Sequence, residues 1–571
     1  MSGFSRVQER LNLRDADIAT VERLAVELSV PEAVARILVV RRLDSYETCR
    51  AFFRPSVEQF NDPFLFEGME PAVTRIGKAI DAGEKIVVYG DYDVDGITST
   101  VLMVRVLRRL GAVCDYYLPN RLREGYGVSE EGVRKLAADG VTLMITVDCG
   151  IGSCREVSIA NCLGIDCIIT DHHEVHGDLP DALVLLDPKI PECSYPYGYL
   201  AGVGVALKLC QGLVRSRGAG EELWREYLEL VALGTAADIV PLTGENRVIT
   251  SLGFAQMSSS TICGLRALIA QQGLSGKPLS TAPVVFQLAP CINAAGRLGD
   301  PAVGVELLLT ENNDEAQRLA AKLKAVNLER REIDSAVAES AHRWVERNAD
   351  PQNDAGLVIG DENWHPGVIG IVASKMVERY YRPTVLFAIG PDGYARGSAR
   401  SIPALHLLDA LNRCSEFLEG YGGHAAAAGM TIKTAMIGPF RERFNEVVRE
   451  MVAPDAFVPV VKADAELPIP GITPKIFRII KQMEPFGPGN MRPVFLSRNV
   501  TNRTSPRLAG ASHLKMLLAD EGISMDAIAF NFGDRLREVR EAARFSVAYT
   551  IDQNEWNGKT SLQMKVKGME L

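Results

Sequence analysis

Three aspartates alternate at positions 91, 93 and 95 in Gly90-Asp-Tyr-Asp-Val-Asp-Gly96. Carboxylates this close repel one another, and a divalent cation with oxygen ligands is the natural compensation. An EF-hand calcium loop also begins this way. Its closing Glu is absent, because counting from Asp91 the twelfth residue is Leu102. Three more polar groups end apolar segments: Asp148-Cys-Gly150, Asp171-His172-His173 and Ala237-Asp238. A lone aspartate suits a helix N-cap equally well, and a lone histidine pair is more often structural. As a set, they offer enough carboxylates and imidazoles for two metal ions. Such a pair activates a water and neutralises a phosphoryl group during in-line displacement. Mixed Asp/His ligation suits Mn²⁺ or Mg²⁺ rather than a soft-metal thiolate site.

The elements that must position these groups follow an α/β pattern. Strand-like runs at 85–89, 112–118, 142–147, 167–170 and 182–186 alternate with helical stretches such as 130–139 and 154–163. This order implies a largely parallel sheet, which places ligands at the carboxyl ends of its strands. Residues 1–55 read as a helical leader packed on the main domain. The first α/β domain spans 56–310, and a long charged helix over 311–350 joins it to a second α/β domain at 351–453. Prolines at 454, 459, 468, 470 and 474 mark the next boundary. Residues 454–571 carry five short strand-like runs near their end, as a small β-barrel would.

Composition narrows the class without naming the function. With 571 residues, 47% hydrophobic and 23% charged, the chain has an ordinary globular composition. It has no apolar run of 18 or more residues and no signal-peptide pattern at 1–14, so a cytoplasmic location without a membrane is expected. The 11 cysteines are scattered, as reduced thiols would be. A net charge of −10 argues against a simple electropositive nucleic-acid coat but leaves room for a local basic groove.

The motifs in order resemble a known set. Asp91-Tyr-Asp-Val-Asp-Gly96, Val147-Asp-Cys-Gly150, Asp171-His-His173 and Gly234-Thr-Ala-Ala-Asp-Ile-Val-Pro241 are similar to the four motifs of the DHH phosphoesterase superfamily. Gly422-Gly-His-Ala-Ala-Ala-Ala-Gly429 resembles the signature of its companion DHHA1 domain. Cys291-Ile-Asn-Ala-Ala-Gly-Arg297, Trp364-His-Pro-Gly-Val-Ile-Gly-Ile371 and the C-terminal barrel narrow the resemblance to the RecJ single-strand exonucleases, over roughly residues 50–571. The implied fold is two α/β domains, DHH and DHHA1, joined by a long helix and followed by an OB-type barrel.

The resemblance also implies roles. Asp93, Asp95, Asp148, His172 and Asp238 would hold two ions, with Asp148 bridging. Asp91 would act in the acidic motif, either on a metal or through water. His173 would donate to a phosphate oxygen or the leaving oxygen. Some members carry a histidine ligand where this chain has Tyr89, so one ion is expected to bind more weakly. Gly422 and Gly423 would let backbone N–H groups approach an anion, helped by His424, Arg400 and Ser401. Asn293 and Arg297 would touch the DNA backbone. Arg121 or Arg123 would hold a phosphate, and Tyr126 would stack on a base. Where family members often have arginine, Cys291 stands, so any contact by that arginine is lost. In the barrel, Phe495, Phe530, Phe532 and Trp556 suit either the core or a stacking surface.

The implied activity is 5′-to-3′ hydrolysis of single-stranded DNA to 5′-mononucleotides in recombination and mismatch repair. A single-strand binding protein and a RecQ-type helicase are the expected partners. Two other readings remain at this stage. One is a DHH phosphoesterase of short oligonucleotides, cyclic dinucleotides or pyrophosphate. The other is a non-catalytic DNA-binding replication scaffold, against which the intact Asp93, Asp95, Asp148, His172 and Asp238 set speaks.

Overall fold

The computed structural model describes residues 9–119, 124–125, 127–350, 353–510, 512–556 and 559–571. Two compact units divide the chain. One comprises Glu47–Leu328 with Gln482–Arg492, and the other Met1–Tyr46, Glu329–Lys481 and Pro493–Leu571.

In the Glu47–Leu328 unit, five parallel strands form one sheet: β1 Lys85–Tyr89, β2 Val113–Tyr117, β3 Leu143–Val147, β4 Asp166–Thr170 and β5 Val184–Leu186, in the order β2-β1-β3-β4-β5. Central strands of a parallel sheet are covered on both faces and therefore read as continuous apolar runs. Successive residues alternate between two cores. Ile86, Val88, Leu143, Ile145, Val147 and Ile168 enter one core with α1 (Val94–Arg109), α2 (Gly202–Ser216) and α3 (Leu228–Ala237). Val87, Tyr89, Met144, Cys167 and Ile169 enter the other, against Val133, Leu136, Val157 and Ala160 of the helices Glu130–Ala138 and Cys154–Cys162.

A buried ion pair fixes the helices on the first face. Lys208 of α2 lies 2.5 Å from Glu245, which also accepts from the Tyr195 hydroxyl and the Asn61 main and side chains. This knot holds α2 against the helix Gly244–Met257 and the segment before the sheet. Glu229 of α3 is buried too, and burial pushes its carboxyl up to about 7, despite the Ser260 hydroxyl and Ile262 amide nearby.

The helix joining the α/β domains is one element, α4 (Asn313–Asn348), passing from one unit to the other at Leu328–Glu329. Beyond it lies a mixed sheet of β6 Leu357–Asp361, β7 Thr384–Ile389, β8 Tyr394–Arg400, β9 Leu418–Gly423 and β10 Ala427–Lys433, in the order β9-β10-β8-β7-β6. Only β6 and β7 are parallel; the rest pair antiparallel. The C-terminal barrel closes through β11 Phe495–Asn502, β12 His513–Asp520, β13 Ile523–Ala529, β14 Phe545–Trp556 and β15 Lys559–Glu570. β11 pairs with both β14 and β12, β14 with β15, β15 with β13, and β13 with β12. Every strand thus has two neighbours, the OB-type closure.

The N-terminal segment is helical as expected, with helices Ile18–Glu27, Glu32–Val40 and Tyr46–Phe53, but the residues up to Tyr46 do not join the catalytic domain. Its strand Arg10–Leu13 pairs in parallel with Val460–Ala463, and it clusters with the C-terminal segments. Four ladder residues and the Leu11 N–H bond to Glu570 decide its place, and neither leaves a helical pattern in the sequence.

The Glu229 shift has a defined sign. Its folded pKa lies above the unfolded value, so stability falls as pH rises from about 4.5 through about 7. Glu229→Gln should flatten this dependence. Relative to the parent it gains about 3 kcal/mol at pH 8.5 and nothing at pH 4, read by urea unfolding across that range.

Candidate metal centre

The expected ligands come together at the carboxyl edge of the parallel sheet, each placed by a different local device. Asp93 is the N-cap of α1: its Oδ1 accepts the N–H groups of Asp95 and Gly96. The N-cap and a candidate ligand are therefore one side chain. Asp95, in the first turn of α1, accepts from the Gly202 and Val203 N–H groups at 2.7 and 2.9 Å. Those donors are the N-terminus of α2, whose unsatisfied amides and dipole favour a carboxylate. Asp148 leaves β3 with φ +61°, a strained conformation for a non-glycine residue. It has room only because residue 202 is glycine, where a Cβ would sit 2.5 Å from Asp148 Oδ1. His172 follows β4, and Asp238 caps the C-terminus of α3.

His172 stands at the middle of this arrangement. Its Nε2 lies 3.1 Å from Asp148 Oδ1, 3.6 Å from Asp238 Oδ2 and 3.8 Å from Asp95 Oδ2. Nε2 and Asp148 Oδ1 are nevertheless buried without a hydrogen bond. Burial, reinforced by His173, drives the His172 pKa down to about 3, so the ring is neutral. Burial first, and then the neighbouring carboxylates, push Asp95 up to about 7 and Asp148 and Asp238 well above the usual carboxylate range. A neutral imidazole ringed by crowded carboxylates, with lone pairs facing one point, is the donor set of a divalent cation.

The ligand atoms fall into three overlapping groups. One is Asp148, His172 and His173; Asp95, His172 and Asp238 flank it on one side, and Asp91, Asp93 and Asp148 on the other. Asp148 is close enough to His172 to serve both flanking groups. Asp91 therefore stands among the last group's ligand atoms. That group has no imidazole, and Tyr89 offers it nothing: its hydroxyl turns to the Ser129 N–H, 3.1 Å away, and its ring packs on Tyr117.

Asp171 is the residue whose role the sequence did not disclose. Its Oδ1 accepts from the main-chain N–H groups of His172 and His173 and lies 2.7 Å from His173 Nδ1, while Oδ2 accepts from Ile151 N–H. Burial opposes a charged His173 ring, but the Asp171 contact outweighs it and raises His173 to about 9. His173 is thus held toward its protonated form beside the candidate ligands. Gly202 and Val203 were also missed. They act through backbone N–H groups, and the only sequence trace is glycine at the start of the apolar run Gly202-Val-Gly-Val-Ala-Leu207.

Asn293, expected to touch DNA, has its Oδ1 accepting the Val94 N–H at 3.0 Å, so it pins the metal loop to the helix Ala289–Leu298. Arg297, on the same helix, is half-buried. Cys291 is fully buried there, its thiol donating to the Gln287 carbonyl. In the mixed sheet, Arg400, Ser401, Gly422, Gly423 and His424 collect at the β8, β9 and β10 ends. Gly423 has φ +152°, and a Cβ there would meet the Ala427 carbonyl at 2.4 Å. His424 N–H donates to that carbonyl, and burial, then Arg400, holds the His424 pKa down. The Ser401 hydroxyl donates to Leu405. Arg121, Arg123 and Tyr126 lie outside the described residues. In the barrel, Phe495 and Phe532 are core, whereas Phe530 is exposed and packs edge-on against His513.

This fold and metal-ready site are those of a DHH–DHHA1 protein with a third, barrel domain. Residues 85–235 match the DHH family, N-terminal domain; 353–451 match the DHHA1 domain; and 463–568 match the RecJ OB domain. The chain is 38% identical over 560 residues to the single-stranded-DNA-specific exonuclease RecJ of Bacillus subtilis, covering 98% of this chain and 70% of that protein. It is 36% identical over 578 residues to its Escherichia coli namesake, covering 98% and 99%. The crystal structure of RecJ in complex with Mn²⁺ from Thermus thermophilus superposes with a TM-score of 0.84 at 30% identity, over 99% of this chain and 80% of that one. The chain belongs to the RecJ family.

Asp171→Asn keeps the shape but removes the negative charge that holds His173 protonated and turns one of the two acceptor oxygens into a donor. Turnover should fall about 10–100-fold with the circular dichroism spectrum unchanged. A variant as active as the parent would contradict the role given to Asp171.

Proposed function

We propose that the protein is a metal-dependent exonuclease specific for single-stranded DNA, hydrolysing from the 5′ end to release 5′-mononucleotides. The observation that carries this reading is His172 Nε2, buried and ringed by Asp95, Asp148 and Asp238 beside the Asp91–Asp93–Asp148 group. The relatives support it: they are named single-stranded-DNA-specific exonucleases, and the RecJ of Thermus thermophilus has been crystallised in complex with Mn²⁺ and with Mg²⁺.

Asp95, Asp148, His172 and Asp238 would hold one divalent ion, and Asp91, Asp93 and Asp148 the other. When bound, such ions lower the pKa of a water and neutralise the phosphate during in-line displacement. The chain supplies the rest. His173, kept protonated by Asp171, donates to a phosphate oxygen or to the departing 3′-oxygen. Asn293 fixes the loop that carries Asp91, Asp93 and Asp95. Arg400, Ser401, Gly422, Gly423 and His424 form a phosphate-binding edge of the mixed sheet; Arg297, Arg121 and Tyr126 add backbone and base contacts. The 5′ polarity rests on the family resemblance. The natural setting is cytoplasmic DNA recombination and mismatch repair, beside a single-strand binding protein and a RecQ-type helicase. Among the described residues no helix is long and apolar enough to cross a membrane.

Strands labelled separately at each end, incubated with Mn²⁺ and with Mg²⁺, test this reading. Mononucleotides should appear at once from the 5′ label, while the 3′ label remains on a shortening ladder. Asp148→Ala should abolish both signals; cleavage by that variant in a clean preparation would sink the assignment. Calorimetric titration with Mn²⁺ should resolve two unequal sites, the weaker being the group without an imidazole. Two equal affinities would contradict the part given to Tyr89.

A further inference from the structure

Two neighbouring strands end in the same device. Thr170, the last residue of β4, pairs in register with Leu186, the last residue of β5, so Asp171 and Asp187 follow side by side. The Asp171 N–H donates to the Leu186 carbonyl at 3.1 Å, which carries the ladder one step past the strand ends. Both aspartates are buried, and the Oδ1 of each accepts the N–H of the residue two positions on. Such Asx turns fix where the next side chains emerge. The residue placed by the first turn is His173, and by the second Lys189.

Lys189 acts on the same edge as His173. Burial pushes the Asp187 carboxyl up to about 7, and the Lys189 and His173 charges both pull it back. Burial also dominates the shifts of His172 and Asp238, and the Lys189 charge is felt at both. The Lys189 ammonium lies 3.2 Å from Glu174 Oε1, and the Glu174 side chain is 67% exposed. A pair with so exposed a member contributes little, so a better-placed anion can displace the glutamate.

The charge of the edge says which anion that is. Asp91, Asp93, Asp95, Asp148 and Asp238 supply five carboxylates to the candidate ion positions. Two divalent ions would balance four of them, and a phosphodiester arriving there adds a further negative charge. A lysine ammonium is a point-charge partner for phosphate, and the Asp187 turn sets it beside His173.

We propose that Lys189 binds a phosphate of the single strand where the strand crosses the metal centre, with Glu174 as its resting counter-ion. This rests on the exonuclease reading above and gives the same substrate a second cation beside His173. A phosphate contact positions the strand and is indifferent to base sequence.

The test measures binding of a labelled single strand by fluorescence anisotropy across a salt series. The parent, Lys189→Ala, Lys189→Arg and Glu174→Gln are compared, each carrying Asp148→Ala so that the strand stays intact. Lys189→Ala should weaken binding about fivefold and flatten the slope of log K against log salt by about 0.7, the share of one phosphate on a single strand. Lys189→Arg should restore both, and Glu174→Gln should bind at least as tightly as the parent. One neutral methylphosphonate linkage walked along the strand should, at a single position, weaken the parent as Lys189→Ala does and cost that variant nothing more. An unchanged salt slope in Lys189→Ala, an equal loss in Glu174→Gln as a mere brace between turns would give, or losses indifferent to the methylphosphonate would each overturn the proposal. Hydrolysis with Asp148 restored separates the two readings. A parent that cleaves the strand while Lys189→Ala keeps the full salt slope sinks this proposal alone; a parent that neither binds nor cleaves it ends both.

Discussion

Crowded negative charge in a buried place is the constraint to which the rest of the catalytic unit answers. Asp95, Asp148 and Asp238 face a neutral imidazole at the edge of a parallel sheet, with Asp91 and Asp93 alongside. Such a group would scatter its side chains toward solvent unless each were tied. For Asp93, Asp95, Asp148 and the adjoining Asp171 the ties are main-chain donors or backbone turns. Asp93 caps its own helix, Asp95 takes two amides from the start of α2, Asp148 is fixed by a left-handed backbone, and Asp171 binds three main-chain N–H groups. Holding carboxylates by the backbone keeps the geometry while leaving lone pairs for a cation, the arrangement that preorganised metal sites require.

How much of this was legible follows from what kind of signal each part leaves. The parallel sheet and its four polar strand or helix ends were readable because buried strands are contiguous apolar runs and the chemistry begins where they stop. The barrel strands were readable by the same rule, although β14 and β15 run to 12 residues each and exceed the expected lengths. β9 and β10 were not read as strands, since Gly420, Gly422, Gly423 and Gly429 give no β-branched pattern. The anchoring of Asp95 by Gly202 and Val203 was hidden because an N–H donor looks the same in every residue. Asn293 was noticed, but its bond to Val94 spans 199 residues, and only the fold shows that it supports the loop. Aromatic type alone could not separate the core rings Phe495 and Phe532 from the exposed Phe530 and Phe286.

The two histidines illustrate how neighbours divide labour. His172 and His173 are adjacent, yet one is neutral well into acid and the other stays charged beyond neutral pH. The difference has two sources: burial, reinforced by His173, holds the His172 ring neutral, while Asp171 contacts the ring of His173 and only the main chain of His172. Identical side chains are thereby given the environments of a candidate ligand and of a candidate proton donor, the separation of environments that acid–base sites depend on.

The glycine at 202 carries a further implication. A single methyl group there would occupy the space of Asp148 Oδ1 and alter no charge, no hydrogen-bonding atom and no ligand. Its main-chain amide would still be available to Asp95. Natural variation at this position could therefore silence the site while leaving every recognisable motif in place, so an intact set of motifs in a relative certifies its ancestry more securely than its activity.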